Sequence, residues 1–311
     1  MVAVLAGGTG GAKLARGMLD AAGELAVVAN TADDAEVYGV HVSPDPDLVT
    51  YWLADAIDER GYGIAGDTWE VMGALEAAGR DAWFRLGDRD LAMCLVRTEL
   101  LSGGSRLTEA HGAVVRGMGV DASVLPMCDE PVRTIVTAAG RERPFQEFMI
   151  LDRAEPPIER LELRGIEGAR PTPEVLGAVR AAEAIVIGPS NPVISIGPIL
   201  ALAGMRDALR AAPAPVVAVS PFVEGRAVKG PTEPFMEHAG LEPGARGVLA
   251  AYGDVIDGLV SDEPVEDAPV PVLVTGTLMG DAAARRRVAT ETLEFAAGLS
   301  AGQRRGGADR L

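Results

Sequence analysis

Two aspartates on a proline-stiffened turn, Ser43-Pro44-Asp45-Pro46-Asp47, are the residues of this chain best suited to chemistry. The prolines restrict the backbone, so both carboxylates are held at low entropic cost. Hard oxygen ligands in ones and twos, completed by water and substrate phosphate, are how magnesium is usually held. Asp47 could equally cap a helix predicted to begin near Leu48. A second acidic segment, Asn30-Thr31-Ala32-Asp33-Asp34, follows the apolar run Leu25–Ala29. An acid there serves a ribose hydroxyl, a helix cap or a metal. A third, Arg85-Leu86-Gly87-Asp88-Arg89-Asp90, alternates charges around a glycine. It suits a solvated cap, or guanidinium forks aimed at a phosphate beside acids that hold a hydroxyl or metal.

Three further segments suit anions. Gly7-Gly8-Thr9-Gly10-Gly11-Ala12-Lys13 directly follows an apolar run and opens a helical pattern. Glycines let the backbone approach a phosphate, and a helix N-terminus offers unpaired N–H groups. A tight strand–helix turn would also use glycine here. The spacing matches neither the dinucleotide fingerprint, whose third glycine is replaced by Lys13, nor a Walker A loop. Gly188-Pro189-Ser190-Asn191-Pro192, then Ser195-Ile196-Gly197-Pro198, repeats the arrangement in the second half. Ser220-Pro221, with Gly225, Lys229 and Gly230, places a loop lysine where it could neutralise a diphosphate. Only Lys13 and Lys229 among the 28 basic residues are lysine.

These segments need a frame. Val2–Ala6, a glycine turn, a helical pattern over 12–22 and Leu25–Ala29 predict a βαβ unit with a parallel sheet. Helices are predicted over 47–60, 68–79 and 89–102, and β-prone runs over 132–136 and 145–151 suggest a small antiparallel excursion. A βα series resumes at 184–188, 216–220, 255–260 and 270–274, and a last helix is expected over 281–298. The fold class is therefore α/β: a Rossmann-like, doubly wound, mainly parallel sheet with a helical and small β insertion at about 47–165. One domain is expected over 1–299, with a flexible tail at 300–311.

Composition narrows the chemistry. A net charge of −17 repels a polyanion, and 4% aromatics make a poor base-stacking surface, so no nucleic-acid partner is expected. Phosphates must be bound locally, by backbone N–H groups, a few cations or a metal. Cys94 and Cys128 form neither a disulfide framework nor a zinc pattern, and reduced cytoplasmic thiols follow. Cys94 reads as core. His41, His111 and His238 lack metal-ligand spacing. No signal peptide or membrane span is expected.

Taken in this order, from residue 5 to about 231, the segments resemble the 2-phospho-L-lactate transferase family of coenzyme F-420 biosynthesis. The run Gly-Pro-Ser-Asn-Pro-Val-Ile-Ser-Ile-Gly-Pro-Ile-Leu at 188–200 is its most specific part. The resemblance implies a magnesium-dependent transfer of a phospholactyl or phosphoenolpyruvyl group from a guanosine diphosphate donor. The acceptor is the terminal ribityl hydroxyl of the deazaflavin FO, 7,8-didemethyl-8-hydroxy-5-deazariboflavin, and GMP leaves. By this likeness Asp45 and Asp47 would hold the metal, with Asp34 among the catalytic acids. Asp47, Arg85, Asp88 and Arg89 would lie near FO. Gly7, Gly8, Thr9, Gly10, Gly11, Lys13, Asn30, Ser190, Asn191, Ser220 and Lys229 would hold the nucleotide. The family also implies a homodimer. The competing reading is a nucleotide-sugar-binding regulator of the related gluconeogenesis-factor family, in which a Gly/Ser-rich segment would replace Ser-Pro-Asp-Pro-Asp.

Overall fold

Short runs dominated by valine, isoleucine and alanine form strands that bury both faces, as a parallel sheet covered by helices requires. The computed structural model describes residues 1–228 and 230–302; Lys229 and the stretch 303–311 of the expected tail lie outside them. The central strands are β1 (Val2–Ala6), β2 (Leu25–Ala29), β3 (Ser123–Pro126), β4 (Ala184–Ile187), β5 (Val216–Val219), β6 (Gly258–Ser261) and β7 (Val272–Val274). They lie in the order β3-β2-β1-β4-β5-β6-β7, every pair parallel. Alternate side chains face opposite layers. Ala3, Leu5, Val28, Ile185, Ile187 and Ala218 join one core, and Val2, Val4, Val27, Val186, Val217 and Val219 the other.

The chain winds outward from β1 in one direction through β2 and β3, then returns to start again at β4. The crevice between β1 and β4, beyond their carboxyl ends, is thus the topological switch point where ligands of such sheets bind. Helix α1 (Gly8–Ala22) starts there, ends at Gly23 with φ +78°, and packs on the last helix, Ala282–Gly302, through Gly17. That last helix runs past 298, where the sequence reading ended it.

Between β2 and β3 the chain forms α2 (Pro44–Leu53), α3 (Glu70–Ala77), α4 (Asp88–Ser102) and α5 (Leu107–Gly117). Helix α2 begins four residues before the expected Leu48, because Pro44 occupies its first turn, where proline is favoured. It stops at Leu53 rather than 60: Asp55 has φ +51°, and glycines at 61, 63 and 66 with positive φ turn the chain back. Between β3 and β4 lies the antiparallel sheet Arg141–Pro144, Arg133–Ala138, Ile158–Arg164. Phe145–Ile150, read as β-prone, is helical. Phe145, Phe148 and Met149 recur at helical spacing, and Phe148 is buried against Phe235. Because β3 belongs to the central sheet, the segment expected as one insertion over 47–165 is two excursions, one on either side of β3. No helix among the described residues is long and apolar enough to cross a membrane.

Candidate active site

The glycine loop and the 188–195 loop meet at the switch point, backbone against backbone. A Cβ on Gly10 would stand 2.0 Å from the carbonyl oxygen of Pro189, and one on Gly188 would stand 2.9 Å from Cα of Gly11. Much of the glycine content is therefore required by loop packing, whatever binds. Gly8 has φ +65° and open space where a Cβ would be. Its N–H donates to Asp45 Oδ1 at 2.5 Å, and the Gly7 N–H to Ser190 Oγ at 3.3 Å.

Asn30 is the hub beneath these loops. Its Nδ2 donates to Asp45 Oδ2 (3.0 Å) and Asp33 Oδ1 (3.3 Å), while its Oδ1 accepts from the Ala32 N–H. Both carboxylates are buried, and their hydrogen-bond partners are neutral: Asn30, the Gly8 N–H and Gln146. Burial, then the charge of Asp45, raises Asp33 well above the ordinary carboxylate range. Burial pushes Asp45 up to about 6, against the hydrogen bonds from Asn30 and Gly8.

Two cavities flank this hub. The first, about 330 Å³, is lined by Gly7, Gly8, Thr9, Gly10, Lys13, Asn30, Asp33, Asp45, Ser190, Asn191 and Ser220, with a wall of Phe145, Met149, Pro221, Val223 and Leu278. Nine of the residues expected to hold a nucleotide thus line one space. Gly11 does not line it, being packed on Ser190 and Ala6. The Nζ of Lys13 donates to the carbonyl of Met279 and lies 5.8 Å from the Trp52 ring.

The second cavity, about 490 Å³, is lined by Asp45, Asp47, Tyr51, Asp90, Arg85, Phe84 and, at its rim, Arg60, Tyr62 and Trp69. Asp45 lines both. The guanidinium of Arg60 lies over the Tyr62 ring at 5.1 Å and the Trp69 ring at 5.0 Å. Asp47 is clamped by Arg97, which donates Nη1 to Oδ1 at 2.6 Å and Nη2 to Oδ2 at 2.8 Å, with both side chains buried. Asp90 accepts from Tyr51 Oη at 2.7 Å, and burial, then the charge of Asp47, pushes it up to about 7. His111 is wholly buried beside this pair, and burial lowers it to about 4.

Three expected site residues stand elsewhere. Asp34 lines neither of these two cavities; it accepts from Ser43 Oγ (2.8 Å), with His41 Nε2 at 3.0 Å, and so anchors the start of α2. Asp88 accepts from Thr68 Oγ1 and from the N–H groups of Glu70 and Val71, capping α3, while Asp67 caps α4 in return. Arg89 donates to the carbonyl of Ala65. Neither Asp88 nor Arg89 lines the second cavity. Arg85 does line it, while pairing with Glu76 at 2.6 Å.

The sequence reading missed Arg97 and the aromatic rim. Signals were present: Arg97 interrupts an apolar stretch, and all three tryptophans, with Tyr51, Tyr62 and Phe84, fall within residues 51–84.

Two groupings could hold a metal. Asp47, Asp90 and Cys94 bring ligand atoms within 4.8 Å of one another. There Asp47 is already paired, and burial pushes the Cys94 thiol up, so a soft, protonated sulfur faces a hard cation: a poor set for magnesium. Asp33 and Asp45 offer hard oxygens, no basic hydrogen-bond partner, and an adjoining cavity with room for phosphate. That set fits magnesium better than the expected pair of Asp45 and Asp47, because both oxygens of Asp47 are taken by Arg97.

A family model described as 2-phospho-L-lactate transferase CofD matches residues 2–272. A phosphoenolpyruvate transferase of Kitasatospora aureofaciens is 38% identical over 312 residues, covering 95% of this chain and 97% of its own length. A 2-phospho-L-lactate transferase of Methanopyrus kandleri is 39% identical over 301 residues, covering 94% and 96%. Among solved structures, a upf0052-family protein of Bacillus halodurans, BH3568, has a TM-score of 0.59 at 18% identity, covering 94% of this chain and 98% of its own. That likeness shows the fold alone. Family model and relatives agree across nearly the whole sequence: the chain belongs to the 2-phospho-L-lactate transferase CofD family.

Proposed function

We propose that this chain transfers a phospholactyl or phosphoenolpyruvyl group from a guanosine diphosphate donor to the terminal ribityl hydroxyl of FO. The observation that carries this reading is Asp45, whose buried carboxylate lines a glycine-walled cavity on one side and an aromatic-rimmed one on the other. A two-substrate transfer needs two adjoining spaces that share a reacting point. The donor occupies the first, its diphosphate against the N–H groups of the glycine loop, with Ser190 and Asn191 beside it. FO occupies the second, its ring system toward Tyr62 and Trp69 and its ribityl chain toward Asp45.

The acceptor oxygen forms a bond to the phosphorus next to the lactyl or enolpyruvyl unit. The bond from that phosphorus to the bridging oxygen breaks, and GMP departs. The hydroxyl proton passes to a carboxylate of the acceptor cavity. Asp45 and Asp90 are both there without an arginine on them, and Asp90 has basicity near neutrality, which suits general-base work. Asp47, fixed by Arg97, positions the hydroxyl. Asp33 and Asp45 would hold magnesium, which when bound neutralises charge on the diphosphate. Phosphoryl transfer of this kind is chiefly positioning and charge neutralisation. A cytoplasmic homodimer completes the reading, on the strength of the family resemblance.

The non-enzymatic regulator is not favoured, since the relatives are named as transferases. The test is incubation with FO, magnesium and each guanosine donor, followed by mass detection of the deazaflavin. A product heavier by the transferred group is expected with at least one donor. No product from any donor would overturn the assignment.

A further inference from the structure

The family model ends at residue 272, yet the cavity assigned to the donor is partly walled by chain beyond it. After β7 the segment 275–280, Thr-Gly-Thr-Leu-Met-Gly, contributes Thr277, Leu278 and Met279 to the lining. β7 stands four strands from β1, about 19 Å at ordinary strand spacing. Nevertheless, Lys13 of α1, just after β1, donates from Nζ to the carbonyl of Met279 at 3.2 Å. The segment is thus a strap running back along the carboxyl edge of the sheet toward the switch point. The last helix holds its outer end: Arg287 donates to the carbonyl of Gly276 at 2.5 Å and to Thr275 Oγ1 at 3.1 Å.

Two features of the strap lack an explanation within the protein. Thr277 is 4% exposed, and its hydroxyl has no hydrogen-bond partner. Buried polar atoms are seldom left so, and such an atom lining a cavity signals a ligand group that completes it. Leu278, its neighbour, is 54% exposed although it lines the same cavity, and an apolar side chain has nothing to offer a diphosphate.

We infer that the strap Thr275–Gly280 is the nucleoside wall of the donor site: Leu278 packs on the purine and Thr277 Oγ hydrogen-bonds to the nucleoside. This rests on the donor reading above, which fixes the direction. The transferred phosphorus must lie at Asp45, so the guanosine points away from it along the sheet edge, and the strap stands on that side.

Calorimetric titration of GMP and of inorganic pyrophosphate, with magnesium, into the full chain and its Leu278→Ser and Thr277→Val variants tests this. GMP affinity should fall about tenfold in Leu278→Ser and about fivefold in Thr277→Val, while pyrophosphate affinity is the same in all three. Equal GMP affinity in all three proteins would overturn the inference and leave the donor site standing. A parallel fall for pyrophosphate would also overturn it, because the strap would then only brace the glycine loop. Pyrophosphate binding without any GMP binding by the unaltered chain would bring down the guanosine-donor reading and this inference together.

Discussion

Arg97 and Asp47 form a buried, bidentate ion pair beside the second cavity, and breaking such a pair strands a charge without water. Arg97→Met should cost about 3–5 kcal/mol of stability, read from the denaturant midpoint. Arg97→Lys keeps the charge but not the fork, so it should fall between. If Arg97→Met unfolds at the same denaturant concentration as the unaltered protein, the clamp is not structural. Asp33 and Asp45 present the opposite case. For Asp45 the folded pKa, about 6, stands above the ordinary 3.8, so the folded protein holds more protons than the unfolded chain between those values. Stability is then greatest below about 4 and is lost as pH rises through about 6. Metal-free protein should be more stable at pH 5 than at pH 7.5, by roughly 1–2 kcal/mol from Asp45 alone. Asp33 and Asp90, also raised, act in the same direction, while His111, lowered to about 4, opposes them between about 4 and 6.5. Asp45→Asn should flatten this dependence and abolish turnover. An Asp45→Asn protein whose stability follows pH as the unaltered protein's does would contradict the assignment.

At the scale of elements, the two glycine-bearing loops at the switch point depend on contact closer than side chains allow. Gly10→Ala puts a methyl group against a backbone carbonyl that cannot swing aside. Both melting temperature and donor affinity should fall, and a Gly10→Ala protein with unaltered melting would show that the loops can separate. The reciprocal caps make a different prediction. Asp88→Ala removes the acceptor at the start of α3, so melting should drop by about 2–4 °C. FO binding should change only through slackening of the cavity wall, and a large loss of affinity without loss of stability would return Asp88 to the binding role first expected of it.

The same elements show what the sequence could reveal. The parallel sheet, the glycine loop and Asn30 were legible because valine-rich runs ending in glycine or asparagine have few other folds. The start of α2 was not, because a proline beside aspartates suits a stiffened turn as well as the first residue of a helix. Nor was the role of β3, whose run Ser-Val-Leu-Pro is too short to distinguish a sheet edge from a hairpin. Asp88 and Arg89 could not be placed, because an alternating charged segment looks alike whether its side chains face a cavity or cap a helix. Arg97 escaped notice because its partner lies 50 residues away and periodicity carries no information about such pairs.

For the molecule as a whole, the decisive quantity is the net charge of −17 set against a donor that is itself an anion. Most of that charge is spread over exposed carboxylates, so the long-range field opposes donor approach even where the glycine loop attracts it locally. Screening should therefore help. The Debye length falls from about 30 Å at 0.01 M salt to about 8 Å at 0.15 M, which hides the body of the protein from the incoming donor while leaving contacts inside the cavity intact. With magnesium held constant, kcat/KM for the donor should rise across this range, by a few-fold, and kcat should change little. The ribityl acceptor, which lacks the donor's phosphate charges, offers the control, since its kcat/KM should respond less. A steady decline of the donor's kcat/KM with added salt would mean that a positive field outside the cavity guides the donor, and the surface acids would then have to be excluded from its path.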